Sequence, residues 1–200
     1  MMKTLTTSLV ASLAVLGTAL AGETTAKSYK ATTTVAPETC FSDHELQIDT
    51  FGQASFGDNS KIGVFRDTAW GGGVGLNYFF QRNIGLGIEG AWLSAKHSGL
   101  GHDIANSRDD RTVIHNLTGS IILRLPIDSM CLAPYVYVGG GWQDDGSSWA
   151  SGHVGAGLEY RIVPHKVGIF VDGRWTYLGD RFQESDLNFW SVRAGFRLVF

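Results

Sequence analysis

From Trp70 to Phe80 every second residue (Trp70, Gly72, Val74, Leu76, Tyr78, Phe80) builds a largely apolar row, while Gly71, Gly73, Gly75, Asn77 and Phe79 lie between them. Successive strand side chains point to opposite faces, so this alternation predicts a strand with one apolar and one small or polar face. Ile84, Leu86, Ile88, Gly90 and Trp92 repeat it against Gly85, Gly87, Glu89 and Ala91. Val113, His115, Leu117, Gly119, Ile121 and Leu123 repeat it against Asn116, Thr118, Ser120 and Arg124. Further strands are predicted over Pro134 to Trp142, Ala150 to Ile162, Val167 to Tyr177 and Trp190 to Phe200. With the less regular Leu46 to Phe56 they make eight.

The two registers differ in charge. The apolar register holds no Asp, Glu, Lys or Arg, whereas the other carries Asp49, Glu89, Arg124, Glu159, Arg161, Asp172, Arg174, Arg193 and Arg197. A soluble sandwich or lipocalin-like barrel would turn the uncharged face to its core and the ions to water. A membrane barrel would do the reverse. Alternation alone does not separate the two.

Three further features favour the membrane. The segments between strands run about 57–68, 81–83, 96–111, 126–133, 143–149, 163–166 and 179–187, short alternating with long at most steps, as in a barrel with tight turns at one end and longer loops at the other. The tryptophans fall at one level: Trp70, Trp149 and Trp190 open strands that run one way, and Trp92, Trp142 and Trp175 lie near the ends of strands that run the other. Tyr78, Phe80, Tyr135, Tyr160, Phe196 and Phe200 are placed at the opposite ends, giving the two aromatic belts expected at lipid–water boundaries. Finally, the chain stops on Phe200, with Leu198 and Phe196 on the same face.

Gly71 to Gly90, the Pro134-Tyr-Val-Tyr-Val-Gly-Gly-Gly141 segment and Gly195-Phe-Arg-Leu-Val-Phe200 resemble the small outer-membrane β-barrel proteins of OmpA and OmpX type. The resemblance covers roughly residues 45–200. It implies an all-β, eight-stranded, antiparallel up-and-down transmembrane β-barrel in the bacterial outer membrane, surrounded by outer-membrane lipid and lipopolysaccharide. Phe196, Leu198 and Phe200 resemble the terminal signal by which the barrel-assembly machinery recognises such chains for insertion. The chain is expected to end with the barrel, without the peptidoglycan-binding domain that OmpA itself carries. The barrel is expected to be a monomer.

Composition and charge narrow the partners. The 200 residues suffice for one domain with a full core. Aromatic content of 12% and 26 glycines argue for an ordered, Gly-rich β protein, not a disordered chain. A formal charge of −3 offers no footprint for nucleic acid. Residues 1–21, with a basic start, an apolar Leu9 to Leu20 and Ala19-Leu20-Ala21, read as a cleaved secretory signal. Residues 22–44 read as a flexible periplasmic segment and 45–200 as the barrel. Export permits a disulfide between Cys40 and Cys131, both expected on the periplasmic side.

Eight strands leave a lumen just wide enough for side chains to fill it. Phe51, Phe79, Phe170 and Phe189, together with the arginines, are expected to obstruct it, and Gly71, Gly73, Gly75, Gly85 and Gly87 to make room. Because an isolated buried ion costs several kcal/mol, Glu89, Glu159 and Asp172 are expected to form an ion network with Arg174, Arg193 and Arg197, and with Arg124 as a further member. No cofactor is implied. The His97, His102, Asp103, Asp109 and Asp110 group matches no closed zinc spacing. Ser151, His153 and Glu159 form the one Ser/His/carboxylate set that can be drawn, but it points into the lumen, where a lipid chain does not readily enter. His115 faces lipid, with Val113 and Leu117 as its same-strand neighbours. The expected function is a structural or surface-interaction scaffold, not an enzyme, with external loops that meet an extracellular ligand. The alternatives are a lipid A-modifying enzyme and a narrow, porin-like channel.

Overall fold

The computed structural model describes residues 39–57, 68–96, 111–144, 148–178 and 187–200. The expected signal at 1–21 and most of the expected periplasmic segment 22–44 lie outside them. Eight strands run in chain order: β1 (Glu45–Gly57), β2 (Ala69–Gln81), β3 (Ile84–Lys96), β4 (Arg111–Arg124), β5 (Leu132–Asp144), β6 (Ser148–Val163), β7 (Val167–Leu178) and β8 (Leu187–Val199). Each pairs antiparallel with its sequence neighbour, and β1 pairs with β8 to close the barrel. Closure leaves no free edge, and every strand has at least 12 residues. A membrane-crossing strand needs about 9–11.

The polarity of the wall is reversed relative to a soluble barrel. Ile88 and Leu117 are each 61% exposed, and Val74, Leu76, Val136 and Val171 also face outward, whereas Asp172 and Arg193 are 3% and 5% exposed inside. Trp70, Trp92, Trp142 and Trp190 are exposed on the outer wall. Trp175 is half-buried there and stacks on Tyr177 at a ring separation of 6.2 Å. Register ties these residues to one end: Trp175 faces Trp190, Trp190 faces Phe56, and Trp92 faces His115. Trp149 pairs with Gln143 through its backbone at that same end. Phe196, Leu198 and Phe200 are exposed toward the other.

Two expectations change. The segment expected at 143–149 shrinks to 145–147, because β5 and β6 continue pairing as far as Asp144 and Ser148. The connection 125–131 is correspondingly the longest at the other end, and it contains a short 3₁₀ turn at Asp128–Met130. Tyr135, assigned from sequence to the aromatic belt opposite the tryptophans, is buried in the lumen. Both registers of Pro134 to Val138 are apolar or aromatic, so the strand's own pattern is ambiguous. Its pairing with β4 sets Tyr135 opposite the inward Arg124 and turns the valines out.

Glycine on facing strands makes space for the large interior rings. A Cβ on Gly157 would sit 2.8 Å from the Tyr135 ring, and one on Gly73 would sit 2.7 Å from the tip of Phe51. Both separations are below any real carbon contact, so these rings lie directly over bare backbone.

Candidate functional site

The inward register stacks its groups in layers from one mouth of the barrel to the other. Nearest the β1 start, Glu45 accepts hydrogen bonds from Gln47, from Arg161 and from Arg124 Nη1, the last at 2.9 Å. Glu159 pairs with Arg161 at 2.6 Å and with Arg197 Nη1 at 2.6 Å. Arg197 also grips Asp49 with Nε and Nη2 at 2.7 and 2.6 Å, the bidentate fork that suits guanidinium to carboxylate. Asn77 donates to the same carboxylate at 2.8 Å.

One layer further along, Arg193 donates from Nε and Nη2 to Asp172 at 2.7 and 2.8 Å and from Nη1 to Glu89 at 2.7 Å. Arg174 pairs with Glu89 from the other side. Two phenols complete the shell of Asp172: Tyr135 donates at 2.7 Å and Tyr137 at 3.0 Å. Arg197 lies over the Tyr135 and Phe170 rings, joining this layer to the first.

Nearest the Trp end the lumen turns neutral. Gln53 donates to Ser55 and Ser191 at 2.9 and 3.0 Å, and the two hydroxyls pair with each other at 2.9 Å. Leu93, Ala95, Ile114 and Phe189 pack together at that level with Ala69.

Among the described residues the lumen therefore holds five arginines (Arg124, Arg161, Arg174, Arg193, Arg197) and five carboxylates (Glu45, Asp49, Glu89, Glu159, Asp172). Between them lies a cavity of about 30 Å³, room for about one water.

At the disulfide end the mouth is stopped. Cys40 is bonded to Cys131 across a sequence separation of 91, which carries residues 40–44 of the N-terminal segment against the barrel. Phe41 beside it is fully buried, with Arg124 at 4.8 Å and Arg161 at 5.0 Å from its ring centroid. Arg124 lies 3.9 Å from the Phe79 ring as well, so its guanidinium is enclosed between two aromatics. Outside the mouth, Asp128 accepts from Arg82 and from the Cys40 N–H at 3.1 Å. The slight burial of Asp128 pulls its carboxyl upward, but bonds from the Arg82 guanidinium and the Cys40 and Phe41 backbones outweigh that and hold it below the ordinary value of 3.8.

All seven charged residues expected in the lumen, Glu89, Arg124, Glu159, Asp172, Arg174, Arg193 and Arg197, occupy it together. Sequence reasoning left out Glu45, Asp49 and Arg161 as partners, Tyr135 and Tyr137 as donors, and Phe41 as a stopper. Asp49 and Arg161 carried a usable signal, since both lie on the charged register. Phe41 carried none, because it precedes the first strand.

The Ser151, His153 and Glu159 set is not assembled. His153 Nε2 bonds Ser120 at 2.8 Å, Glu159 is held by arginines, and Ser151 Oγ has no hydrogen-bond partner among the described residues. His97, His102, Asp103, Asp109 and Asp110 lie outside the described residues. Among those described, no group of three or more His, Cys, Asp or Glu side chains is arranged to hold a metal ion.

Residues 8–200 match the family model described as the outer membrane protein β-barrel domain. Among solved structures, neisserial surface protein A is similar at 14% identity, with 78% of this chain and 96% of that one covered and a TM-score of 0.51. The N-terminal β-barrel domain of Pseudomonas aeruginosa OprF is similar at 17% identity over 80% and 99%, with a TM-score of 0.47. The attachment invasion locus protein Ail of Yersinia pestis gives 17% over 78% and 99%, with a TM-score of 0.44. No curated protein sequence matches the chain.

Proposed function

The chain belongs to the outer-membrane protein β-barrel family, and from that premise we propose that it is a non-enzymatic structural and surface-interaction scaffold whose lumen is a plug and not a path. The observation that carries this reading is the charge balance inside: among the described residues, five guanidiniums against five carboxylates, packed around a cavity of about 30 Å³. A conducting pore needs a continuous hydrated route, and a selective one needs an excess of one sign along it. Paired charges in van der Waals contact with Phe41, Phe79 and Phe170 supply neither.

In this reading residues 1–21 direct export and are removed, 22–44 form the periplasmic segment ahead of the barrel, and Phe196, Leu198 and Phe200 are read by the barrel-assembly machinery. Trp70, Trp92, Trp142, Trp149, Trp175 and Trp190 mark the outer lipid boundary, next to lipopolysaccharide. The connections 58–68, 97–110, 145–147 and 179–186 are the surface that meets an extracellular ligand, and the barrel works as a monomer. Planar-bilayer recording on the refolded chain tests the plug. Silence at up to 100 mV in molar salt is expected, and steady single-channel steps would overturn it.

A further inference from the structure

Thr39 to His44 form a strap that belongs to no strand. It leaves the start of β1 and reaches Cys131, between β4 and β5, which stand on the opposite side of the closed sheet. The short segment therefore crosses the mouth. Its β1 end is a hinge: Asp43 accepts from the Arg82 N–H at 2.7 Å, and His44 Nδ1 lies 3.0 Å from the Tyr78 hydroxyl. Its far end is held by the Cys40–Cys131 bond, by the Cys40 N–H on Asp128 at 3.1 Å and by the Phe41 ring over Arg124 and Arg161. Hinge and anchor are both bent. His44 has a φ of 55° and Cys131 a φ of 50°, left-handed backbone that residues other than glycine hold at a cost.

Beneath the ring the guanidiniums are incompletely met. Arg124 gives Nη1 to Glu45 and Nε to the Arg82 carbonyl, both at 2.9 Å, and Arg161 gives Nη2 to Glu45. Arg124 Nη2 and Arg161 Nε and Nη1 are buried without a hydrogen-bond partner among the described residues, and each residue is only 1% exposed. An aromatic face attracts a guanidinium but offers its N–H groups no acceptor, so closing the strap trades hydration of three charged donors for ring contact. Water at an open mouth would meet all three. Burial of Phe41 draws the strap down and the unmet donors push it up, which leaves the covalent bond to decide. Access to that bond is one-sided: Cys40 is 3% exposed, whereas Cys131 is partly exposed where it ends the Asp128–Met130 turn. An incoming thiolate therefore meets Cys131 Sγ.

We propose that the bridge is an exchangeable fastener, and that a periplasmic dithiol opens the mouth by reducing it. One thiolate of the dithiol attacks Cys131 Sγ to form a mixed disulfide, and the Cys40 sulfur leaves with the bonding electron pair and takes up a proton. The second thiol then attacks the dithiol's own sulfur in the mixed disulfide, and Cys131 leaves and is protonated in turn. The dithiol ends as a disulfide, and the protein has gained two electrons and two protons. Thr39 to Ser42 swing away about Asp43, and the Arg124 and Arg161 layer is wetted from the periplasm. The Arg193, Asp172 and Glu89 layer beneath stays shut, since its donors and acceptors all belong to strands. The membrane reading above supplies only the side from which the dithiol comes; the opening itself does not depend on it.

Dithiothreitol and the arginine reagent phenylglyoxal, applied to the full folded barrel in detergent, test the fastener, with mass spectrometry locating each labelled arginine. Without reductant, the partly exposed Arg82 should label, and Arg124, Arg161 and Arg193 should stay protected. After dithiothreitol, Arg124 and Arg161 should label roughly tenfold faster, the reading of a local opening, with Arg193 unchanged. Oxidised glutathione should restore their protection. Cys40→Ser combined with Cys131→Ser should label at the fast rate with or without reductant. A bridge that resists dithiothreitol until the barrel is boiled overturns the proposal, as does reduction that leaves Arg124 and Arg161 protected. Equal acceleration at Arg193 also overturns it, because the whole barrel has then loosened and no strap has moved. If the double serine variant lacks heat-modifiable gel migration, reduction of the unsubstituted chain carries the test. Conducting steps in a bilayer before reduction would sink the plug reading and leave this labelling comparison standing.

Discussion

The two halves of the lumen solve the same problem in opposite ways. Toward the disulfide, the interior is filled by charge: Glu45, Asp49 and Glu159 interlock with Arg124, Arg161 and Arg197 under a lid made by Phe41. Toward the tryptophans it is filled by neutral groups, the Gln53–Ser55–Ser191 triangle and the Leu93–Ile114–Phe189 cluster. Charge inside a narrow tube is tolerable only where every ion is met from several strands, because desolvation of an unpaired ion exceeds anything a surface pair returns. The charged half therefore locks β1, β4, β6 and β8 to each other across the lumen. The neutral half mostly joins neighbouring strands. Cross-lumen locking should make the disulfide half the stronger determinant of stability.

Substitutions in the two halves test that contrast. The largest effect is expected for Glu159→Leu, which leaves Arg161 and Arg197 facing each other without their shared carboxylate. Breaking a buried ion set from one side costs about 3–5 kcal/mol, read as a drop in the urea stability of the barrel by gel-shift midpoint. Replacing Cys40 and Cys131 by serine together should cost about 2–4 kcal/mol, the usual worth of a bridge closing a long loop. It should also free Phe41 to protease near residue 40. In the neutral half, Gln53→Leu removes two hydrogen bonds but leaves Ser55 and Ser191 paired with each other, so about 1 kcal/mol is expected. Equal losses for Glu159→Leu and Gln53→Leu would erase the distinction between the halves.

The smallest effect concerns pH and the fastening of the lid. The Asp128 carboxyl is held below 3.8 in the folded protein. Its contribution is fully present above that ordinary value and is lost as pH falls through the lowered one. Amide exchange at Cys40 should accordingly show the same protection from pH 7 to pH 5 and a loss only below about 3.8. Asp128→Asn should remove that step. A loss of protection already between pH 7 and pH 5 would assign the fastening to some other group.

Much of this was legible along the chain. Strand number and the shared face of Glu89, Asp172 and Arg193 follow from a period of two, because register parity alone decides which face a side chain occupies; that the apolar face turns outward took the connection lengths, the level of the tryptophans and the terminal Phe200 as well. Legibility failed where parity was silent. In Pro134 to Val138 both faces are apolar, so only the pairing of Tyr135 with Arg124 shows which ring enters the lumen. Phe41 has no parity, since it lies before β1 and is placed by the bond at Cys40. Ion partners on strands that are not neighbours, such as Arg193 with Glu89 and Arg197 with Glu159, also escaped, because contact across a lumen depends on how the sheet is sheared when it closes.

Sequence by itself determined the sorting: which residues face hydrocarbon, which face inward, and that the inward set carries both signs of charge. Alternation fixes which residues share a face, and the connection lengths and the level of the tryptophans say which face turns outward. Closure into a barrel decided the rest. It brought Glu45 to Arg161 across 116 positions and Asp49 to Arg197 across 148, set Trp92 and Asp144 on either side of His115, and drew Phe41 over the mouth. Neighbours around a cylinder are set by its circumference and stagger, and no strand read alone contains either.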